Sequence, residues 1–227
     1  MSAPAAAATL VPLTRLRKAI AKTMTASALV PQFTVEQDVP FDEVQWWRRR
    51  QWKADGVRVS VADVLVAATA RALRAHPGVN ASWTDDGVLL HADVNVGVAV
   101  ALPDGLVAPA VFRTDALSLP ELAAERRRLT AAARAGQLTP GELLSATFTV
   151  SNLGTFGVSR FRALVVPPQA AILAVGGLRP DGTVTLALSC DHRVLDGAPG
   201  AEFLRDLTRS LVEPAWLDDL LTAPAGC

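Results

Sequence analysis

The run Asn95-Val-Gly-Val-Ala-Val constrains the fold more than any other segment of this 227-residue chain. It is rich in β-branched residues and almost continuously apolar, without the alternation expected of a strand with one face in water. We therefore predict a strand from Val94 to Ala101 that is covered on both faces. Pro103-Asp104-Gly105 is a turn signature, and Leu106 to Phe112 is predicted to return as the second strand of a hairpin.

Predicted strands and helices alternate along the rest of the chain. The further strands are short, apolar or alternating segments bounded by turn residues, namely Phe33–Val39, Val88–Leu90, Ala146–Ser151, Ala171–Val175 and Val184–Cys190. The predicted helices show apolar residues at helical spacing. One begins near Thr14, a second follows Asp42 as a possible cap, and three more cover Val61–Ala75, Ser118–Ala135 and Gly197–Leu211. This mixture predicts an α/β fold, a two-layer sandwich of a mixed β-sheet with helices.

The domain organisation is predicted to be simple. Residues 1–9 are small and are expected to form a disordered leader, and residues 10–227 show neither an internal repeat nor a Gly/Ser-rich linker. Half of the residues are apolar and 19% are charged, which favours a sizeable buried core. We therefore expect a single domain over residues 10–227.

Charge and cysteine content disfavour several classes of function. With 22 basic and 22 acidic residues, the chain has no net field to attract nucleic acid or an anionic membrane, so neither partner is expected. The sequence contains no uninterrupted stretch of 18 apolar residues, so no membrane span is predicted. Two cysteines, Cys190 and Cys227, are too few for a disulfide framework or a zinc site, and this favours a reducing compartment, with the cytoplasm as the predicted location.

Three segments contain residues suited to catalysis. His192 follows a predicted buried strand, and imidazole is the side chain whose proton affinity lies nearest neutrality. Ser151 ends a strand that enters a glycine-rich turn, where its hydroxyl could donate to a developing oxyanion. Cys190 would share a strand face with His192, which leaves a Cys-His nucleophile pair open. On local grounds each of these residues could also be structural, as we expect for His76 and His91. No metal-ligand cluster is apparent.

The segment His192-Arg-Val-Leu-Asp-Gly197 matches the pattern HRVxDG. Five further segments match patterns of the same family in the same order. Leu13–Ala21 matches its opening helix, Pro77–Trp83 matches PxxNASW, and Asn95–Pro109 matches NVGVAVxxPDGLVxP. Ser151–Gly157 matches SNLGMFG, and Gln169–Gly176 matches QAAILGVG. The chain resembles the catalytic domain of the E2 acyltransferases of 2-oxoacid dehydrogenases. That family belongs to the chloramphenicol acetyltransferase-like superfamily, which implies the corresponding fold.

The resemblance implies acyl transfer from a coenzyme A thioester, with acetyl-CoA as cosubstrate, in a site shared between subunits of a homotrimer. His192 would take the proton of the acceptor. Ser151 of a neighbouring subunit would hydrogen-bond the tetrahedral oxyanion. Asp196 would hold the loop through an ion pair with a basic side chain, for which Arg17 is our candidate.

The chain also departs from the family. Full E2 components carry lipoyl and subunit-binding domains ahead of this core, and we expect no lipoyl attachment site on this chain. Cys190, Thr155 and the Trp-rich stretch Gln45–Trp52 are unusual and could reshape the acceptor pocket.

These departures favour a freestanding acetyltransferase that modifies a hydroxyl of a small natural product, for example a tetronate intermediate in antibiotic biosynthesis. The alternative is the catalytic core of an E2 dihydrolipoamide acyltransferase. A third hypothesis, an inactive scaffold, is disfavoured by the joint presence of His192, Ser151 and Asp196.

Overall fold

The computed structural model describes residues 8–55 and 59–222. The helices within these ranges are α1 (Arg15–Ala28), α2 (Asp42–Asp55), α3 (Val61–Ala75), α4 (Leu119–Ala135), α5 (Pro140–Leu144), α6 (Gly197–Val212) and α7 (Leu217–Thr222). The strands are β1 (Gln32–Pro40), β2 (Ala81–Thr84), β3 (Gly87–Leu90), β4 (Val96–Val98), β5 (Val100–Leu102), β6 (Gly105–Val107), β7 (Ala110–Val111), β8 (Phe148–Asn152), β9 (Ala171–Val175) and β10 (Thr183–Asp191).

Six strands form one mixed sheet in the order β1-β10-β9-β8-β4-β7. The pairs β1–β10, β10–β9 and β4–β7 are antiparallel, whereas β9–β8 and β8–β4 are parallel. Two separate hairpins, β2–β3 and β5–β6, complete the strand content of the described residues. Together with the helices, this architecture confirms the predicted α/β class with a mixed sheet.

The two faces of the sheet are covered differently. Residues of β8 alternate: Phe148 and Val150 join the hydrophobic core, and Thr149 and Ser151 lie on the opposite face. The core face packs against helices, chiefly α3 and α6. Residues 158–168 run along the opposite face without regular structure, where the Val165 amide donates to Gln32 Oε1 (2.9 Å). The sheet face that carries Ser151 is therefore covered by an irregular segment and not by helices.

Capping residues explain why two helix predictions are accurate. Ser60 and Asp63 form a reciprocal capping box at the start of α3, and Ser118 and Glu121 do the same for α4. Each pair satisfies two backbone amides that a helix start leaves without partners. Thr14 caps α1 as predicted, by accepting from the Arg17 amide (3.1 Å). Asp42 is the first residue of α2 and not its cap.

The predicted hairpin of Val94–Ala101 with Leu106–Phe112 is wrong in its simple form. The first segment divides into β4, which belongs to the main sheet, and β5, which pairs with β6 in a separate hairpin. The returning segment likewise divides into β6 and β7. An apolar run is compatible with a strand in either sheet, so its composition could not show that the run divides into two strands of different sheets. Strand β2 and helix α5 were also missed.

The predicted boundary of the domain is only partly covered by the structure. Residues 1–7 of the predicted leader lie outside the described residues, as does Cys227, and Ala8 and Thr9 are exposed and outside any helix or strand. Across the described ranges, no helix combines the length and apolar character needed to cross a membrane.

Candidate active site

His192 lies in the turn that follows β10. Its amide donates to the carbonyl of Pro31 (2.8 Å), just before β1, and its ring packs on Phe33 with centroids 4.6 Å apart. The side chain is 52% exposed. The imidazole is thus supported on one side and open on the other, as a general base requires.

Asp196 lies four residues after His192, immediately before α6. Its carboxylate is 3.6 Å from Nδ1 of His192 and 84% exposed, and it caps no helix amide. The predicted ion pair with Arg17 does not form in the described part of the chain. Arg17 instead lies beside Gly105, because Leu16 and Ile20 pack α1 against the β5–β6 hairpin. The suggested partner of Asp196 was therefore wrong within one chain.

Ser151 lies near the end of β8 and is 9% exposed. Its backbone is held between β4 and β9, with Ala174 as its Cα partner on β9. Among the described residues its hydroxyl has no hydrogen-bond partner, whereas Thr149, on the same face, donates to Gln169 Oε1 (2.8 Å). The hydroxyl of Ser151 is thus free to donate to another group.

One chain does not bring Ser151 and His192 together. Ser151 aligns with Ala174 on β9, and Ala174 aligns with Ala187 on β10, five residues before His192. Strand spacing and rise per residue place the two Cα atoms about 10 Å apart across the sheet and about 16 Å apart along it, or about 19 Å in total. No side chains of these types span that distance.

The loop after Ser151 depends on two glycines. A Cβ on Gly154 would lie 2.9 Å from the carbonyl oxygen of Gly176, and Gly157 has a left-handed φ of 74°. Both positions therefore favour glycine. Thr155 of this loop lines a cavity of about 320 Å³, together with Arg126 and Arg134 of α4. Thr155, one of the residues that depart from the family pattern, thus lines a cavity near Ser151.

Cys190 does not support a covalent mechanism. Its side chain is fully buried and belongs to the hydrophobic core under α6, 3.5 Å from the position of a Cβ on Gly200. Burial raises the pKa of its thiol to about 12. The Cys-His nucleophile pair that the sequence left open gains no support, because the thiol is buried and its hydrogen bond goes to the Leu188 carbonyl (4.0 Å) and not to His192.

The other two histidines have partners that the sequence did not identify. His76 Nε2 lies 2.9 Å from Asp206 Oδ2, and His91 Nε2 lies 2.8 Å from the Ser82 hydroxyl. Burial lowers the pKa of His91. Within residues 8–55 and 59–222, no group of three or more His, Cys, Asp or Glu side chains could hold a metal ion.

The residues on either side of His192 have contacts that the sequence did not predict. Arg193 pairs with the buried Asp191 through several hydrogen bonds, the shortest 2.7 Å, and its guanidinium lies 4.8 Å from the ring centroid of Trp83. The spacing Asp-His-Arg was visible in the sequence. The contact with Trp83, more than a hundred residues earlier, was not.

A protein-family model for the 2-oxoacid dehydrogenases acyltransferase (catalytic domain) matches residues 5–217. The chain is 37% identical over 222 residues to the dihydrolipoyllysine-residue acetyltransferase component of the pyruvate dehydrogenase complex of Rickettsia felis. That alignment covers 91% of this chain and 54% of the relative. The chain therefore spans about half the length of the relative.

Solved structures show the same fold. The cubic core of the pyruvate dehydrogenase multienzyme complex superposes with a TM-score of 0.87 at 33% identity, covering 95% of this chain and 96% of the other. The dihydrolipoamide acetyltransferase of Azotobacter vinelandii, studied for the role of a serine, a histidine and an asparagine in its catalytic mechanism, superposes with a TM-score of 0.86 at 32% identity, covering 93% and 94%.

Chloramphenicol acetyltransferase shares the fold alone, with a TM-score of 0.53 at 14% identity over 84% of this chain and 94% of the other. This likeness confirms the predicted fold class. The catalytic-domain model and the relatives above confirm the family and the acyltransferase class that the six sequence segments predicted. The chain belongs to the family of 2-oxoacid dehydrogenase acyltransferase catalytic domains.

Proposed function

We propose that this chain is the acetyl-transfer core of an E2-type acyltransferase, which exchanges an acetyl group between coenzyme A and a thiol of dihydrolipoamide. The observation that carries the proposal is the open imidazole of His192, held in the family's HRVxDG turn. The alternative of a natural-product hydroxyl as acceptor gains no support from the relatives, since the Rickettsia felis protein is named a dihydrolipoyllysine-residue acetyltransferase.

The acceptor thiol would be ionised by His192. An unperturbed thiol has a pKa of about 8.5 and an imidazolium about 6.5, so proton transfer to a positioned imidazole is only modestly uphill. In this proposal Nδ1, which lies 3.6 Å from the Asp196 carboxylate, carries the proton of the neutral imidazole. The lone pair of Nε2 is then available for the proton of the acceptor.

The thiolate would attack the thioester carbonyl to give a tetrahedral oxyanion. The Ser151 hydroxyl, which has no partner among the described residues, would donate a hydrogen bond to that oxygen. Collapse breaks the carbon–sulfur bond to coenzyme A, and the departing thiolate takes its proton from the His192 imidazolium. The enzyme returns to its starting state without a covalent intermediate.

The separation of about 19 Å between Ser151 and His192, obtained from strand spacing and rise, is too large for both residues of one chain to act on one acceptor, and this supports a site shared with a second copy. We place His192 of one copy opposite Ser151 of a neighbour in a homotrimer. Two related structures support this placement, since one is the core of a multienzyme complex and the other was studied for the role of a serine, a histidine and an asparagine in its catalytic mechanism. In this chain Asp196 follows His192 by four residues, the spacing that separates the histidine and the asparagine of the Azotobacter vinelandii protein.

The proposal is tested by incubating the protein with acetyl-CoA and dihydrolipoamide and separating acetyl-CoA, CoA and S-acetyldihydrolipoamide by chromatography. We expect the thioester of dihydrolipoamide to form in step with CoA, and His192→Ala to lower kcat by about two to four orders of magnitude. Transfer to a tetronate alcohol and none to dihydrolipoamide would favour the other acceptor. An unchanged rate in folded His192→Ala would refute the role of the histidine.

A further inference from the structure

The orientation of the His192 ring is determined mainly by its backbone. Among the described residues, its side chain contacts the Phe33 ring at 4.6 Å and approaches Asp196 at 3.6 Å, and neither contact is a hydrogen bond. Its amide, by contrast, is bonded to Pro31. The amides of Val194 and Leu195 both donate to the carbonyl of Asp191 at 3.0 Å. A shift in this turn would therefore move the imidazole with it.

The side chains on either side of His192 lock the same turn. The Asp191 carboxylate is 2% exposed and accepts from the amide of Arg193 (2.9 Å), from Nε (3.0 Å to Oδ1 and 3.2 Å to Oδ2) and from Nη2 (2.7 Å). A planar guanidinium that pairs with both oxygens of a carboxylate has a defined orientation as well as a charge. The Arg193 side chain is 33% exposed, so it shields Asp191 from water on its open side.

A third group holds the arginine from the other direction. The Arg193 guanidinium lies over the Trp83 ring, 4.8 Å from its centroid, in cation–π geometry. The indole is itself fixed, because Trp83 lies in β2 and its amide donates to Pro168 (3.1 Å). The hydrogen-bonded Asp191 carboxylate raises the pKa of Arg193, and the charge of Asp85, at the turn of the same hairpin, adds to this effect. The hairpin is not part of the main sheet, so this contact ties the His192 turn to a separate element.

We propose that Arg193 is a positioning residue for His192, with its guanidinium clamped between the Asp191 carboxylate and the Trp83 indole. The inference rests on the proposed role of His192 as general base. Arg193 does not touch the reacting atoms in this scheme. It holds the turn so that Nε2 meets the acceptor thiol in reactive geometry, and displacement of a catalytic group by about 1 Å can cost about a hundredfold in rate.

Removal of the guanidinium provides the first test. In Arg193→Ala we expect kcat for acetyl transfer to dihydrolipoamide to fall about tenfold to a hundredfold, with KM for acetyl-CoA changed less than about twofold. Arg205→Ala is the matched control, since that arginine lies on α6, is 59% exposed and pairs with Asp206 at 3.2 Å. We expect its kinetics to match wild type. An unchanged kcat in folded Arg193→Ala would overturn the proposal.

Chemical rescue and a double-mutant cycle separate positioning from a general loss of structure. Ethylguanidinium at millimolar concentration should restore part of the rate of Arg193→Ala, by binding between Asp191 and Trp83, and should leave His192→Ala unaffected. In a His192→Ala background, Arg193→Ala should cause no further loss, because its effect passes through the histidine. Full additivity of the two losses would show that Arg193 acts elsewhere.

Two further variants keep the proposal testable if Arg193→Ala does not fold. Arg193→Lys keeps a charge beside Asp191 but loses the planar fork, and Trp83→Leu removes only the ring. We expect each to fold and to lower kcat by about threefold or more, since a cation–π contact and a bidentate pair each contribute measurably. Wild-type kcat in both variants would overturn the proposal. Wild-type turnover in His192→Ala would instead overturn the proposed function.

Discussion

Cys190 and His192 are separated by one residue, yet the end of β10 gives them opposite environments. Cys190 is buried among core side chains, and that burial raises the pKa of its thiol to about 12. His192 is half exposed in the turn. Only a thiolate is an effective nucleophile, so Cys190 stays inert near neutral pH while His192 remains available as a base.

The Cys190→Ser variant should therefore retain acetyl transfer. We expect its kcat to lie within about twofold of wild type and its free energy of unfolding to fall by about 1–3 kcal/mol, because a hydroxyl replaces a thiol in an apolar site. Urea denaturation and steady-state kinetics measure the two effects, with Cys190→Ala as the variant that adds no polar group. Complete loss of transfer in a folded Cys190→Ser protein would revive the covalent mechanism.

Ser151→Ala should affect the rate and leave the fold nearly unchanged. The hydroxyl has no internal partner in the described chain, so its loss breaks no hydrogen bond there, but removal of an oxyanion donor costs about two to three orders of magnitude in kcat. Ser189→Ala is a matched control, because Ser189 lies on the same face of the sheet and shares a 3.1 Å hydrogen bond with Thr34. Equal kcat values for the two variants would argue against the oxyanion role.

At the scale of single residues, the family segments of the sequence identified the catalytic candidates. Contacts between residues that are distant in the chain were not predicted correctly. His192 follows the buried strand β10 and Ser151 lies near the end of β8, as the segments around them predicted. The pairing of Asp196 with Arg17 was wrong within one chain, because packing of Leu16 and Ile20 directs α1 to the β5–β6 hairpin. The stacking of Arg193 on Trp83 left no local signal in either segment.

Among the elements, predictability followed the strength of local signals. Capping boxes mark the starts of α3 and α4, and both helices begin where they were predicted. The apolar run at Val94–Ala101 instead contributes to two sheets. The Ala99 amide still bonds to Val150, whereas Val100 pairs with Val107 of the separate hairpin. That division depends on tertiary pairing, which residue types alone do not specify.

Helix α5 offers a test of how one carboxylate stabilises an element. Glu142 accepts the Thr139 amide (2.7 Å) and pairs with Arg128 (2.5 Å), and these contacts lower the pKa of its carboxyl to about 2. A group whose pKa is lower in the folded state stabilises the fold above its unfolded pKa, and that stability is lost as the pH falls through the folded pKa.

Glu142→Gln should therefore lower the urea midpoint at pH 7 and bring it close to that of wild type near pH 2. Glu202→Gln is the control, since Glu202 is exposed on α6 and forms no ion pair in the described ranges. Its urea midpoint should change little at either pH. A difference in urea midpoint between Glu142→Gln and wild type that stayed constant from pH 7 to pH 2 would contradict the assigned contacts.

At the scale of the whole molecule, one copy of the chain does not bring the two proposed catalytic residues together. Ser151 lies on the sheet face away from the core helices, and His192 lies beyond the end of β10, two strands away. Val88, Leu89 and Leu90 of β3 are between 44% and 57% exposed and form an apolar surface on the single chain. A sequence pattern describes one chain, so the proposed meeting of the two residues between copies rests on the family resemblance and not on any local pattern.

The most direct measurement of the shared site uses two variants that are each inactive alone. His192→Ala chains and Ser151→Ala chains are co-expressed with different affinity tags, and mixed assemblies are purified through both tags. Every cyclic trimer that contains both variants has one of its three interfaces, or about a third, with an intact His192 from one copy and an intact Ser151 from its neighbour. We predict that acetyl transfer recovers to about that fraction of wild type. Mixed trimers no more active than either variant alone would contradict the account.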